Sequence, residues 1–296
     1  MIHAVINLLK PPGMTSHDAV SFVRRVYKQK RVGHSGTLDP AAAGVLPIYL
    51  GNATRLVEYG DDFDKEYRAE ILFGVSTDTG DDTGVVISTF PVEEAHLKNL
   101  ESVVNSFAGI YEQVPPMYSA LKVQGRKLYE LAREGKEIER AARQVRIQSI
   151  RLLYQQHDRA GIHLACSKGT YIRTLCEDIG GRIGIPATMA FLLRTRVGPF
   201  DIHQAATLEE ITENSPSVVL PADTAASHLP LCRFDEIDTR FLKQGRPVEI
   251  QTDSYNVRDN FMARLYTEDG VFFGIGQVAV AAGRMNPTKI FVDGNE

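Results

Sequence analysis

The 296-residue chain is short of the features that would place it in a membrane or a disulfide scaffold. It has no apolar run of about eighteen residues, the length a membrane-spanning helix needs. Its start, MIHAVINLLKPPG, lacks the charged opening, apolar stretch and small-residue cleavage site of a signal peptide. The Ile/Val-rich character of that start predicts a first strand instead. Cysteine is scarce: Cys166, Cys176 and Cys232 are odd in number and widely spaced. They form neither a metal-ligand spacing nor a disulfide framework, which points to a reducing cytoplasm. Cys166 lies in a strand-like run and Cys176 in a helix-like one, and both read as small buried apolar residues rather than nucleophiles. There is no internal repeat and no low-complexity tract. An overall excess of positive charge is also missing, because the net charge is −4. A hydrophobic content of 43% and a charged content of 24% are ordinary for a soluble globular protein, and the length allows one large domain or a large and a small one.

The charges that are present are unevenly spread. Residues 1–31 carry six Lys/Arg against one acid, and residues 122–151 carry nine against four Glu. Residues 58–94 carry eleven acids against two bases. A basic surface built from part of a protein suffices to hold a phosphate backbone. The competing reading is that each segment is a solvated helix face.

The apolar spacing predicts a helix capped by Ser16, with Ala19, Val20, Phe22, Val23, Val26 and Tyr27 inward and basic residues near its end. A short helix capped by Asn52 stops at Gly60. KEYRAEILF, residues 65–73, alternates Tyr67, Ala69, Ile71 and Phe73 against Arg68 and Glu70, the pattern of a half-buried strand. TDTGDDTG, 77–84, reads as an acidic turn-rich loop. An amphipathic helix is expected over 92–108, a strand and turn over 117–125, and a helix over 126–134 stopped by Gly135. Strands are expected near 144–154 and 161–167, a helix over about 170–180 ending at Gly180-Gly181, and a strand over 192–200. Residues 207–230 read as a linker with short helical pieces. From about 235 short strands and an Asp269-Gly270 hairpin signal suggest a small β domain.

VGHSGTLDPAAAGVLPIYL, residues 32–50, is the most informative stretch. His34 and Asp39 sit in a segment too rich in Gly and Pro for a helix and too irregular for a strand, with an apolar run anchoring it behind. Pro40 forces the Asp39 backbone out of the helical region, so its carboxylate is presented on a shaped loop, where binding and catalytic groups concentrate. An isolated Asp-Pro is more often a plain turn starter. The company of His34, Gly33 and Gly36 argues against that here.

Four further segments stand with this loop: KPPGMTS from Lys10, DKEYRAEILFGVSTDTGDDTG around Tyr67, VPPMYSALKVQGRKLYELAREG over 114–135, and CSKGTYIRTLCEDIG with Arg173. Together, from Lys10 to about Phe200, they closely resemble the bacterial tRNA pseudouridine-55 synthases of the TruB family, with a weaker match beyond. Ser35 departs from the Thr or Gly common there. The resemblance implies an α+β pseudouridine synthase fold: a mixed, largely antiparallel sheet flanked by helices, plus a small β-rich PUA-like C-terminal domain. The implied domains are a catalytic one over 1–230 and an RNA-binding one over 235–296. The implied activity is isomerisation of one uridine in the T-loop of tRNA, in the cytoplasm. The expected partner is the T-arm stem-loop alone, met by a monomer with no cofactor, metal, membrane, guide RNA or protein partner.

On this resemblance Asp39 is the essential aspartate, Tyr67 the tyrosine that stacks on the flipped base, and Arg173 the arginine that pairs with the aspartate. His34 contacts the RNA where flipped bases leave the stack, Leu192 lines the uracil pocket with Leu193 as its rival, and Lys10 belongs to the substrate-binding set, shaping fold and RNA surface. Without the resemblance Tyr67 reads as a core aromatic, His34 as a bystander and Arg173 as a surface helix residue. Cleaving a C–N glycosidic bond builds positive charge on the sugar, which a carboxylate stabilises or attacks. Attack at C1′, addition to C6 of the ring, and removal of a sugar proton all remain open for Asp39. Two readings from other classes compete: a noncatalytic tRNA-binding protein, and a nucleoside or glycoside hydrolase. The hydrolase wants a second catalytic carboxylate, and the motif set supplies none.

Overall fold

A computed structural model describes residues 1–119, 121–123, 125–213, 218–250 and 260–291. Its centre is a ten-stranded sheet. Across it run Val219–Pro221, Ala4–Lys10, Ala43–Leu50, Ala187–Val197, Lys65–Phe73, Arg159–Cys166, Arg143–Gln156 and Gly109–Gln113. Val32–His34 adds to the Ala43–Leu50 strand, and Phe200–Asp201 to Ala187–Val197. Every pairing is antiparallel except one at the middle. There Ala187–Val197 runs parallel to Ala43–Leu50 over only Leu193↔Ala43 and Arg194↔Gly44. Gly44 permits this narrow seam, since a Cβ on it would lie 2.1 Å from the Arg194 carbonyl oxygen.

The alternation read for residues 65–73 matches the strand Lys65–Phe73, with Tyr67, Ala69, Ile71 and Phe73 in the main core. That core also takes the inward faces of the helices Ser16–Val26, Leu100–Asn105 and Ile172–Ile183. The first helix is capped by Thr15 rather than Ser16: Thr15 accepts from the Asp18 N–H and Asp18 accepts from the Thr15 N–H. The Ser16 hydroxyl is occupied elsewhere, bonded to the backbone of Leu38. The amphipathic stretch 92–108 is two pieces, a 3₁₀ turn Glu94–Leu97 and a helix Leu100–Asn105, which still bury Leu97, Leu100, Val104 and Phe107.

The Arg173 helix does not stop at Gly180-Gly181. It continues to Ile183 and ends at Gly184, whose left-handed φ of +85° closes it. Gly180 serves packing instead, because a Cβ there would sit 2.5 Å from that of Ala187. The 207–230 stretch is not a loose linker. Val219–Pro221 pairs with Ala4–Ile6 as an edge strand of the central sheet, and Ala225 and Ala226 are buried.

A second sheet holds five strands in the order Leu231–Phe234, Phe261–Thr267, Phe272–Ala279, Arg284–Ile290, Val248–Glu249. Its hairpin turns at the Asp269-Gly270 signal, between Thr267 and Phe272. Ile275 from this sheet joins a core cluster with Val5, Tyr49 and Phe200 of the large one. Lys289 donates to the Arg55 carbonyl (2.8 Å) and Arg55 to that of Ile290 (2.7 Å), so the two sheets are packed together. Among the described residues no helix is long and apolar enough to cross a membrane.

Candidate active site

The loop between Val32–His34 and Ala43–Leu50 presents Asp39, and its backbone is held from several directions. Arg194 donates from Nη2 to the Gly36 carbonyl (2.7 Å), from Nη1 to that of Thr37 (3.4 Å) and from Nε to that of Val45 (2.8 Å). The Ser16 hydroxyl bonds the Leu38 backbone. The Gly13 N–H donates to the Pro40 carbonyl at 2.8 Å. A segment with no helix or strand ladder of its own is fixed by tertiary donors, which is how a loop becomes rigid.

Lys10 belongs to this scaffold. It has no exposed surface, and its ammonium donates to the carbonyls of Pro11 (2.9 Å), Met14 (2.7 Å) and Pro40 (3.3 Å). A buried ammonium must place its three protons on acceptors, and these three take them. Lys10, expected in the substrate-binding set, spends its ammonium on these three carbonyls and braces the loop at Pro40. Burial, helped by repulsion from Arg194, pushes its pKa down to about 8.

Arg173, near the start of the Ile172–Ile183 helix, is not a surface residue; its side chain is 6% exposed. Its Nε lies 3.1 Å from Oδ2 of Asp39 and its Nη2 3.4 Å from Oδ1, a two-point approach to the carboxylate. The same guanidinium donates to the Thr79 carbonyl (3.0 Å) and the Tyr118 carbonyl (2.7 Å), joining three loops. Its helix is pinned by Gln113, which exchanges two hydrogen bonds with the Tyr171 backbone (2.9 and 2.7 Å).

Asp39 itself stays 37% exposed at the side chain, open to a ligand. Its pKa is raised above the ordinary aspartate value, because burial and the nearby Asp81 outweigh Arg173 and Lys10. Asp81 is a second buried acid, 3.9 Å from Arg173 Nε, accepting from the hydroxyls of Thr79 (2.8 Å) and Thr83 (2.6 Å).

Tyr67 is 7% exposed and faces the same side as Arg194, its direct cross-strand partner. Burial drives the phenol's pKa up to about 12. Leu192, two residues before Arg194, shares that face and is buried; Leu193, alternating, lines an apolar hollow of about 430 Å³ with Leu9, Pro12 and Ile202. His34 is half-buried with Nδ1 unpartnered among the described residues, and burial lowers its pKa. Cys166 and Cys176 are buried and their thiols are pushed up by burial, that of Cys166 to about 12, so neither is a nucleophile at neutral pH. No group of three or more His, Cys, Asp or Glu among the described residues is placed to hold a metal ion.

Arg194, Asp81 and Gln113 were not picked out by sequence reasoning. The signal for Arg194 was there: an arginine two residues after Leu192, at the alternate position that shares its face. Asp81 was one of several acids in a turn and carried no distinguishing mark.

The family description "TruB family pseudouridylate synthase (N terminal domain)" matches residues 24–172. "tRNA pseudouridylate synthase B C-terminal domain" matches 173–226, and "Pseudouridine synthase II TruB, C-terminal" matches 230–291. A protein of Caldanaerobacter subterraneus named tRNA pseudouridine synthase B is 44% identical over 98% of this chain and 99% of its own length. Its namesake from Chromohalobacter salexigens is 43% identical over 98% and 94%, and that from Symbiobacterium thermophilum 50% over 75% of each chain. In fold, the chain is similar to one from a solved Cbf5-Nop10-Gar1 complex, with a TM-score of 0.75 at 24% identity, over 98% of this chain and 85% of that one. With matches of this extent around a paired Asp39 and Arg173, the chain belongs to the TruB family of pseudouridylate synthases.

Proposed function

We propose that this pseudouridine synthase isomerises the uridine at position 55 in the T-loop of tRNA, acting as a monomer without cofactor, guide RNA or protein partner. The observation that carries the reading is the Asp39 carboxylate, held at two points by a buried arginine on a braced loop, with Tyr67 two strands away on the face where Leu192 also lies. The N1–C1′ bond breaks, the uracil turns within the site, and C5 bonds to C1′ while its proton leaves and N1 gains one. No water is consumed, so the base must be held throughout.

Asp39 acts as an ionised carboxylate, through attack at C1′, addition to C6 or removal of a sugar proton. Arg173 steadies and aims it. Tyr67 and Leu192 form the platform for the flipped base, and stacking returns roughly 1–3 kcal/mol of the few that unstacking costs. His34 contacts the RNA where the base leaves its stack. The exposure of Asp39 in the free protein fits a site that the incoming base itself closes.

Residues 1–230 form the catalytic domain and 235–296 a PUA-like RNA-binding domain in this reading. The basic segments 1–31 and 122–151 supply phosphate contacts. Because Ile275 shares a core with Val5 and Tyr49, cutting the chain near 235 uncovers that core, and charge substitutions test the RNA surface more cleanly. Replacing exposed Arg146 and Arg151 by Gln should each lower the salt slope of tRNA binding by about one. The direct test of the activity is incubation of the pure protein with a T-arm stem-loop. Conversion without a guide RNA is the expected result. Binding without conversion would make it a noncatalytic RNA-binding protein, and release of free uracil would make it a hydrolase.

A further inference from the structure

Arg194 is 1% exposed and has no carboxylate within ion-pair distance among the described residues. Taking a guanidinium out of water costs several kcal/mol, and a well-packed apolar side chain is often as stabilising as a buried charge. The acceptors that hold it are chosen in a telling way. Two are the carbonyls of Gly36 and Thr37, three and two residues before Asp39; the third is that of Val45, beyond the loop; and Tyr67 is the direct cross-strand neighbour of Arg194. Arg194 also sits at the two-residue parallel seam where the two halves of the central sheet meet, one half carrying the Asp39 loop and the other Tyr67.

On the reading that this site isomerises uridine, we propose that Arg194 is a positioning residue whose single buried guanidinium fixes the Asp39 loop relative to Tyr67, and so sets the gap in which the uracil is held. It touches no substrate. Asp39 comes from the loop before Ala43–Leu50 and Tyr67 from the strand Lys65–Phe73, and Arg194, paired in the sheet with Gly44 on one side and Tyr67 on the other, stands between them. A lysine keeps the charge but is a single point donor and cannot reach the Gly36, Thr37 and Val45 carbonyls together.

The test is Arg194→Lys in the full chain, with single-turnover conversion of a T-arm stem-loop at saturating protein, affinity from equilibrium binding, and active fraction from binding stoichiometry. The expected result is a rate at saturation lowered roughly 10- to 100-fold, the scale of an ångström of misplacement, with affinity within about threefold of the native value. A folded variant that converts at the native rate would overturn the proposal and leave Arg194 as core filling. A loss confined to affinity or to active fraction would overturn it too. Should Arg194→Lys not fold, Gly36→Ala decides. A Cβ there meets Lys65 Cε at 3.3 Å and Arg194 Nη1 at 3.4 Å, and the φ of +65° is one that L side chains rarely adopt, so the substitution strains the loop beside the guanidinium. A slowed rate at saturation with native affinity supports the proposal, and an unchanged rate refutes it. Failure of the native protein to convert the stem-loop at all would instead sink the functional reading, which keeps the two outcomes apart.

Discussion

The Asp39 loop, with a single charged residue over 35–42, and the charge-rich 126–140 segment are held in opposite ways. Buried donors fix the first: Arg194 gives bonds to the Gly36 and Thr37 carbonyls, Lys10 one to that of Pro40, and the Ser16 hydroxyl bonds Leu38. The second is tied by ion pairs in water, Arg126 and Lys136 to Glu134, and Arg140 to Glu137. Exposed pairs contribute about 0–1 kcal/mol each, whereas buried donors on otherwise orphaned carbonyls are costly to lose. On the proposed reading, the contrast separates a part that must not move during chemistry from a part that can adapt to an RNA backbone.

The largest expected effect that would test this contrast is at Arg173. Arg173→Ala leaves Asp39 and Asp81 without their shared cation. The stability cost should be about 2–3 kcal/mol in urea unfolding, below the ~3–5 for a fully buried pair because Asp39 is more than a third exposed. Conversion should be lost with it. Tyr67→Leu comes next: conversion should fall by the ~1–3 kcal/mol of one stacked base, about 5- to 150-fold, with a smaller change in affinity. Normal turnover in that variant would show that the ring is only core.

A third prediction concerns pH. With Asp39 acting as an ionised carboxylate, as proposed, its raised pKa predicts that activity is lost, as pH falls, at a higher pH than an ordinary aspartate would give. Asp81 contributes to that rise, so Asp81→Asn should move the acid limb of the remaining activity to lower pH. A limb unmoved by the change would remove Asp81 from the electrostatics of the site. The smallest effect belongs to the other region. Glu134→Gln should change stability by less than about 0.5 kcal/mol, and a large loss would erase the distinction between the two regions.

Much of this division was legible in the sequence. The strand Lys65–Phe73 was plain because alternation is strict there, and the Asp39 loop because Gly and Pro exclude the alternatives. The pairing of Asp39 with Arg173, residues far apart in the chain, came from family resemblance and not from any local pattern. What escaped were long-range uses of ordinary residues. Ser16 looked like a cap and binds Leu38; Gly180 looked like a stop and is a packing contact; Lys10 looked available to RNA and is enclosed by three carbonyls. Such roles depend on which backbone groups tertiary folding leaves unpaired, and no periodicity encodes that.

The central claim is that the Asp39 carboxylate, and not the RNA surface alone, performs the isomerisation at one uridine. Mapping every uridine of a tRNA transcript after treatment with native protein and with Asp39→Asn tests it most directly. One pseudouridine, at position 55, is expected from the native protein, and none from the variant at undiminished tRNA affinity. Pseudouridine made by Asp39→Asn, or a modified uridine outside the T-loop, would contradict it.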